Sequence, residues 1–259
     1  MSVSYQIRAS SIAILSIHRP EVCNAIDWET MDAFRQKIGN THTNPQIKVL
    51  IITGSEKAFI SGGDLNVLHK ATSRQDGIRL SQGMTDALNR LETLPIPVIA
   101  AINGPARGGG AEIALACDLR VVSSDATLGF VQISLGLTPG WGGGQRLLHC
   151  VGYARALELL LTGRILDAEE MQAIGLATAI APPSQALPRA MLLAKAIANK
   201  PPEAVRAIKS MLKTGLSANR STAMMLEQRI FPDLWTSMAH RKAVESFLDR
   251  KKTNKKAGE

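Results

Sequence analysis

Between residues 11 and 17 apolar and small polar residues alternate, and this period of two predicts a β-strand. After Asn24 the period lengthens, and Asp27 stands as an N-cap candidate for a helix reaching about residue 40. Residues 49–53 (Val-Leu-Ile-Ile-Thr) form a continuous apolar run closed by Gly54, the pattern of a strand buried on both faces. A second helix over residues 77–94 is stopped by Pro95 and Pro97, and residues 98–102 follow as a strand ending at Asn103-Gly104. Gly108, Gly109 and Gly110 then open an apolar helix over 111–117, and 119–122 is the next strand. Repeated strand, helix, strand predicts an α/β core with parallel strands.

Beyond Gly136 the character changes. Pro139-Gly-Trp-Gly-Gly-Gly144 leads into helices over 145–150 and 153–161, a strand follows near 176–180, and from Ser184 onward the chain reads as helical. The expected organisation is an α/β core over residues 1–195 and a helical C-terminal region over 196–259.

Composition narrows the function classes. With 45% hydrophobic and 20% charged residues in a chain of 259, a disordered protein is excluded. No apolar run approaches the roughly 18 residues a membrane helix needs, so no membrane association is expected. The net charge of +8 is unevenly placed: residues 189–259 hold 15 Lys+Arg against 6 Asp+Glu, whereas residues 1–188 hold 15 against 16. Such a surplus suits a polyanion, whether nucleic acid, a membrane surface or a small ligand. An aromatic content of only 4%, with no base-stacking motif, argues against nucleic acid as a partner. The cysteines Cys23, Cys117 and Cys150 show no paired spacing, and residues 1–10 lack the apolar core of a signal peptide, so a reducing cytoplasm is the expected location. The five histidines form no ligand-spaced pair, and no metal site is expected.

Three glycine clusters are candidates for chemistry: Ser61-Gly-Gly-Asp64, Arg107-Gly-Gly-Gly-Ala-Glu112 and residues 140–144. None fits a Walker A loop, and no Gly-x-Ser-x-Gly elbow is present. Free backbone N–H groups at a glycine-rich turn into a helix can hold a ligand oxygen, although such glycines can equally be plain turns and caps. Glu112 is the carboxylate of interest, because small and apolar neighbours on its helix predict burial and a raised pKa; a solvated helix glutamate is the alternative.

The stretches 57–65, 97–112 and Cys117-Asp118 resemble the two oxyanion-hole segments of the crotonase (enoyl-CoA hydratase/isomerase) superfamily, over residues 5–252, with 139–146 and 161–164 in register. That resemblance implies a spiral of ββα units with a helical C-terminal trimerisation region, a homotrimer or dimer of trimers, and an acyl-CoA thioester substrate. Coenzyme A is then part of the substrate, and no permanently bound cofactor is implied. The N–H groups of Gly63 and Gly109 would hold the thioester oxygen. Cys23, Asn24 and Ala25, with Ser61, match the segments lining the coenzyme A site, and Phe247 and Lys251 match a C-terminal segment near it, which gives the basic surplus a ligand in the coenzyme phosphates. Glu112 matches the first catalytic glutamate of hydratases, while the second falls at Gln132, an amide that orients water but cannot take its proton.

One carboxylate leaves three chemistries: hydration with Gln132 orienting water, isomerisation by one base in two roles, or loss of CO2 from a malonyl-type thioester. Residues 61–66, 139–143 and 200–206 also resemble ethylmalonyl-CoA decarboxylases, with Gly140 and Trp141 as the wall of an acyl pocket. Trp141 as an ordinary core residue is the alternative, and a non-catalytic acyl-CoA-binding oligomer is the reading from another class.

Overall fold

The computed structural model describes residues 2–256, with the side chains of residues 2–8 and 10–249. The chain divides into two compact units, residues 1–199 and 200–259. In the first, strands β1 (Val3–Arg8), β2 (Ile12–Ile17), β3 (Val49–Gly54), β4 (Val98–Ile102), β6 (Leu119–Ser123) and β9 (Ala179–Ala181) form one sheet in that order. A second sheet joins β5 (Ala106–Arg107), β7 (Leu128–Gly129) and β8 (Ile165–Leu166) in that order. The helices of this unit are α1 (Trp28–Thr43), α2 (Leu65–Leu68), α3 (Arg74–Glu92), α4 (Gly109–Ala116), α5 (Gly143–Val151), α6 (Tyr153–Thr162), α7 (Ala168–Ala173) and α8 (Ala186–Ala198). The second unit holds α9 (Pro202–Ser217), α10 (Arg220–Trp235) and α11 (Met238–Lys256).

From β2 to β9 every pairing in the large sheet is parallel, as the strand-helix alternation requires. The exception is β1, which the sequence pattern did not predict and which pairs antiparallel with β2 at the sheet edge. Its side chains explain the omission: only Val3 is buried, and residues 6–8 are exposed.

All six residues of β3 are buried, and alternate side chains enter two different cores. Leu50 and Ile52 pack with Phe34 and Ile38 of α1 and with Met84, Leu88 and Leu91 of α3. Val49 and Ile51 pack with Ala190, Ala194 and Ala198 of α8, whose four-residue alanine spacing gives the sheet a flat, small-residue helix face. Local signals set the helix starts. Asp27 caps α1 by accepting from the Thr30 N–H at 2.8 Å, and Ser73 and Asp76 form a reciprocal capping box that starts α3 three residues earlier than the apolar pattern indicated.

The final strand also differs from expectation. It covers only Ala179–Ala181, because the Leu176 and Ala177 N–H groups go to the Met171 carbonyl at the end of α7, and the chain turns before it can pair.

Candidate active site

The first two glycine clusters meet at a parallel bridge between Ile60 and Ala106. The Arg107 N–H donates to the Ile60 carbonyl at 3.0 Å and the Phe59 N–H to the Pro105 carbonyl at 3.1 Å. Three residues beyond each bridge partner stand Gly63 and Gly109. The segments lie so close that a β-carbon on Gly62 would come within 3.1 Å of the Arg107 carbonyl oxygen and 3.2 Å of the Gly109 nitrogen. A β-carbon on Gly110 would run into the Ile60 carbonyl itself, so only glycine permits the approach.

Both N–H groups at this junction are left out of regular pairing. The bridge from Ile26 uses the Gly62 carbonyl at 2.7 Å and the Asp64 N–H at 2.9 Å, skipping the Gly63 N–H between them. Gly109 is the first residue of α4, and a first-turn N–H has no intrahelical acceptor.

One turn into α4 lies Glu112, 1% exposed among Ala111, Ile113 and Ala114. Its Oε1 accepts from Gln132 Nε2 at 2.9 Å and from the Gly140 N–H at 3.3 Å. Its Oε2 accepts from the Trp141 N–H at 2.8 Å and the Gly143 N–H at 2.7 Å. Burial pushes the Glu112 carboxyl above its ordinary value of 4.5, and outweighs the opposing pull of these four donors. Gln132 sits in a short 3-10 turn, Val131–Leu135, with its amide over Gly108. Its Oε1 is buried and has no hydrogen-bond partner.

Trp141 is 5% exposed, and its six-membered ring covers Gly109 so closely that a β-carbon there would overlap it. The indole is therefore both core and a wall beside the Gly109 N–H. Gly140 contributes backbone only: its N–H faces Glu112 and its carbonyl accepts from Ser81 Oγ at 2.6 Å.

The proposed coenzyme-lining residues form a second cluster. Cys23 and Asn24 both adopt left-handed backbone, with φ of 52° and 59°. The Asn24 side chain is spent internally: Oδ1 accepts from the Arg19 N–H and Ser55 Oγ, and Nδ2 donates to the Ser55 and Ala58 carbonyls. The Asn24 N–H donates to the Arg19 carbonyl at 2.8 Å, so only its backbone carbonyl is left for a ligand. The Ser61 N–H donates to the Cys23 carbonyl at 3.2 Å and Ser61 Oγ to the Val22 carbonyl at 3.2 Å, which ties this turn to the first glycine cluster. Ala25 is buried, and its carbonyl accepts from Arg19 Nη1 at 2.7 Å. Asp64 caps α2 and pairs with Arg19 at 2.8 Å, while Asp118 accepts from the Val98 N–H; both serve the scaffold. Phe247 is exposed on α11 of the second unit, and the side chain of Lys251 lies outside the described residues.

Sequence reasoning missed Arg146, 8% exposed at the start of α5, whose Nη1 donates to the Trp141 carbonyl at 2.7 Å. The only signal was an arginine beside the apolar pair Leu147-Leu148 in a glycine-led helix turn. Among the described residues no cluster of His, Cys, Asp or Glu could hold a metal ion, and no helix is long and apolar enough to cross a membrane.

Comparison with known proteins matches residues 8–257 to the enoyl-CoA hydratase/isomerase family. A short-chain-enoyl-CoA hydratase of Clostridium acetobutylicum is 33% identical over 246 residues, 95% of this chain and 94% of that protein. An ethylmalonyl-CoA decarboxylase of Xenopus laevis is 33% identical over 245 residues, 94% of this chain and 82% of that one. The crystal structure of an enoyl-CoA hydratase from Bacillus anthracis superposes with a TM-score of 0.91 at 29% identity, covering 96% of this chain and 97% of that one. With the family matched over nearly its whole length and the crotonase fold around a buried glutamate, this chain belongs to the enoyl-CoA hydratase/isomerase family.

Proposed function

We propose that the protein hydrates or isomerises an enoyl-CoA thioester in a cytoplasmic setting, with Glu112 as acid and base. The observation that carries this reading is the placement of one buried carboxylate a single helical turn from Gly109, whose N–H shares its junction with the Gly63 N–H. Two N–H donors aimed at a thioester oxygen stabilise the negative charge of an enolate, each by about 2.7–4 kcal/mol in comparable sites. In isomerisation the Glu112 carboxylate takes a proton from C2 of a 3-enoyl thioester. The electron pair delocalises to the oxygen, and the same proton returns at C4. In hydration Glu112 takes a proton from water as the water oxygen bonds to C3, the C2–C3 π electron pair passes into the enolate, and Glu112 returns the proton to C2, with the unpartnered Gln132 Oε1 accepting from the water's other hydrogen. The four donors on Glu112 fill its acceptor positions, so a proton transfer needs one to yield; the Gly140 N–H, at 3.3 Å, is the longest.

A second reading rests on that same saturation. A carboxylate with every acceptor position occupied is poorly placed as a base, and loss of CO2 from an ethylmalonyl- or methylmalonyl-type thioester needs none. There the bond from C2 to the carboxylate breaks and its electron pair enters the enolate held by Gly63 and Gly109. The Trp141 ring beside Gly109 then supplies apolar surface that disfavours the substrate carboxylate. The Xenopus relative supports this branch.

Purified protein incubated separately with crotonyl-CoA, a 3-enoyl-CoA and ethylmalonyl-CoA distinguishes the readings by product mass and double-bond position. Added water or a shifted double bond is the expected result. Loss of CO2 alone would establish the decarboxylase, and turnover of none would favour an acyl-CoA-binding oligomer.

The Cys23, Asn24 and Ala25 backbone and Ser61 are proposed to line the coenzyme A site, and Phe247 and Lys251 are proposed as coenzyme A-binding residues, supplied to a neighbouring subunit. That unit is proposed to drive assembly into a homotrimer or dimer of trimers. Supporting it, neither α9 nor α10 has a buried residue, and Ile208, Leu212, Phe231 and Trp235 are exposed on them. Sedimentation velocity reports the assembly directly, and a 27.8 kDa monomer would overturn it.

A further inference from the structure

Ser81, Thr85, Asn89 and Glu92 recur at intervals of four, four and three along α3, and so share one helix face. Beside them runs the apolar stripe of Met84, Ala87, Leu88 and Leu91 that enters the core. By pattern alone such polar residues form a solvated face. In the structure Ser81 and Thr85 bond to the loop that holds Glu112, and Asn89 and Glu92 bond to Arg146 of α5, which reaches that loop in turn. Ser81 Oγ donates to the Gly140 carbonyl at 2.6 Å and Thr85 Oγ1 to the same oxygen at 3.3 Å. Asn89 Oδ1 and Glu92 Oε2 accept from Arg146 Nη2 at 3.0 and 2.9 Å, Glu92 Oε2 also from Arg146 Nε at 3.0 Å, while Arg146 Nη1 donates to the Trp141 carbonyl.

These bonds bracket one residue. The Gly140 carbonyl belongs to the peptide group whose other end, the Trp141 N–H, donates to Glu112 Oε2. A hydroxyl on that oxygen both fixes the peptide plane and polarises the N–H, since hydrogen bonds in series reinforce one another. The next carbonyl, that of Trp141, is held by Arg146, which is itself anchored on α3 by a carboxylate and an amide.

We propose that the polar face of α3 is a positioning surface for Glu112: Ser81 and Thr85 directly, and Asn89 and Glu92 through Arg146, hold the loop of residues 140–143 so that its N–H groups meet the carboxylate. None of these side chains touches substrate. Their effect is on where Glu112 titrates and how well it is aimed. This rests on Glu112 as the acid/base, and its test reads the protonation of Glu112 independently of turnover.

The carboxyl stretching band of Glu112, followed by infrared spectroscopy against pH and assigned by its loss in Glu112→Gln, gives that reading. Removing both hydroxyls in the double variant Ser81→Ala/Thr85→Val withdraws polarisation from the Trp141 N–H, so the Glu112 midpoint moves upward. The kcat for the enoyl-CoA reaction falls about three- to tenfold with KM within about twofold, and the acidic limb of the rate profile moves with the infrared midpoint. Arg146→Lys keeps the charge but loses the fork that spans Trp141 and Glu92, and shifts the midpoint in the same direction. A lowered melting temperature with an unmoved infrared midpoint would overturn the proposal, leaving α3 a merely structural helix. An active Glu112→Gln enzyme would instead defeat the acid/base reading while leaving the infrared result to stand.

Discussion

The segment pairing Ile60 with Ala106 and the loop from Gln132 to Gly143 both hold α4, but by different means. The first works through backbone alone: carbonyl and N–H groups in register, with glycines where any side chain would collide. The second centres on side chains: the Glu112 carboxylate, met by the Gln132 amide and by three loop N–H groups, with the Trp141 ring and Arg146 as supports. Two N–H groups beside a thioester oxygen stabilise an enolate however it arose, by proton removal, by addition or by loss of CO2. On the proposed mechanism the backbone wall would fix the class of reaction, and the side-chain wall would choose the member of that class.

The most damaging way to test the division is to put a side chain into the backbone wall. Gly110→Ala drives a β-carbon into the Ile60 carbonyl, a rigid backbone atom that cannot swing aside. The expected loss is about 3 kcal/mol of stability, read from the urea midpoint, with every acyl-CoA reaction lost together. An unchanged midpoint would mean that the two segments have room to part.

Glu112→Gln attacks the other wall and should be selective. Hydration or isomerisation is expected to fall about 10²- to 10⁴-fold, the range for losing an acid/base group, whereas decarboxylation would survive because it needs no base. The amide also turns an N–H₂ toward two of the four donors, costing about 1–3 kcal/mol in stability. A pH signature accompanies it. Because the folded carboxyl is raised above 4.5, the native state keeps a proton that the unfolded chain has released, so wild-type stability falls as pH climbs from the ordinary value through the folded one. In Glu112→Gln that slope is absent, and a chemical-denaturation series across that window measures the difference.

How much of this was legible in the sequence divides along the same line. The backbone wall was readable because glycine leaves a signal: Gly63 and Gly108 to Gly110 stand at turns into helices, and the apolar runs that became β3 and β4 mark where those turns begin. Burial of Glu112 followed from its neighbours Ala111, Ile113 and Ala114. The partners of its carboxylate did not, because three of the four are main-chain N–H groups of residues 140–143, brought there by tertiary packing that leaves no residue pattern. The polar face of α3 was hidden for a related reason, since serine, threonine, asparagine and glutamate at helical spacing look the same facing a loop as facing water. The small second sheet escaped because strands of two residues carry no periodicity.

The mildest change gives the finest reading of the side-chain wall. Gln132→Glu replaces a donor with an acceptor 2.9 Å from Glu112 Oε1, so two carboxyls must share that contact. Like charges at that separation cannot both ionise freely, and the pair would hold a proton between them with one apparent pKa raised. The pair would then hold a base for water and an acid for C2 in one arrangement, and crotonyl-CoA hydration is expected to rise about tenfold or less, limited by a loop shaped around an amide. The proton in the pair would make the hydration profile bell-shaped, where on the proposed mechanism the wild-type protein depends on Glu112 alone. Ethylmalonyl-CoA should meet the opposite fate as pH rises and the shared proton leaves, since the second negative charge beside Glu112 then repels the substrate carboxylate and raises its KM. Hydration unchanged with decarboxylation weakened would show that the wall around Glu112 is built for expelling a carboxylate, and that the amide at Gln132 is what admits it.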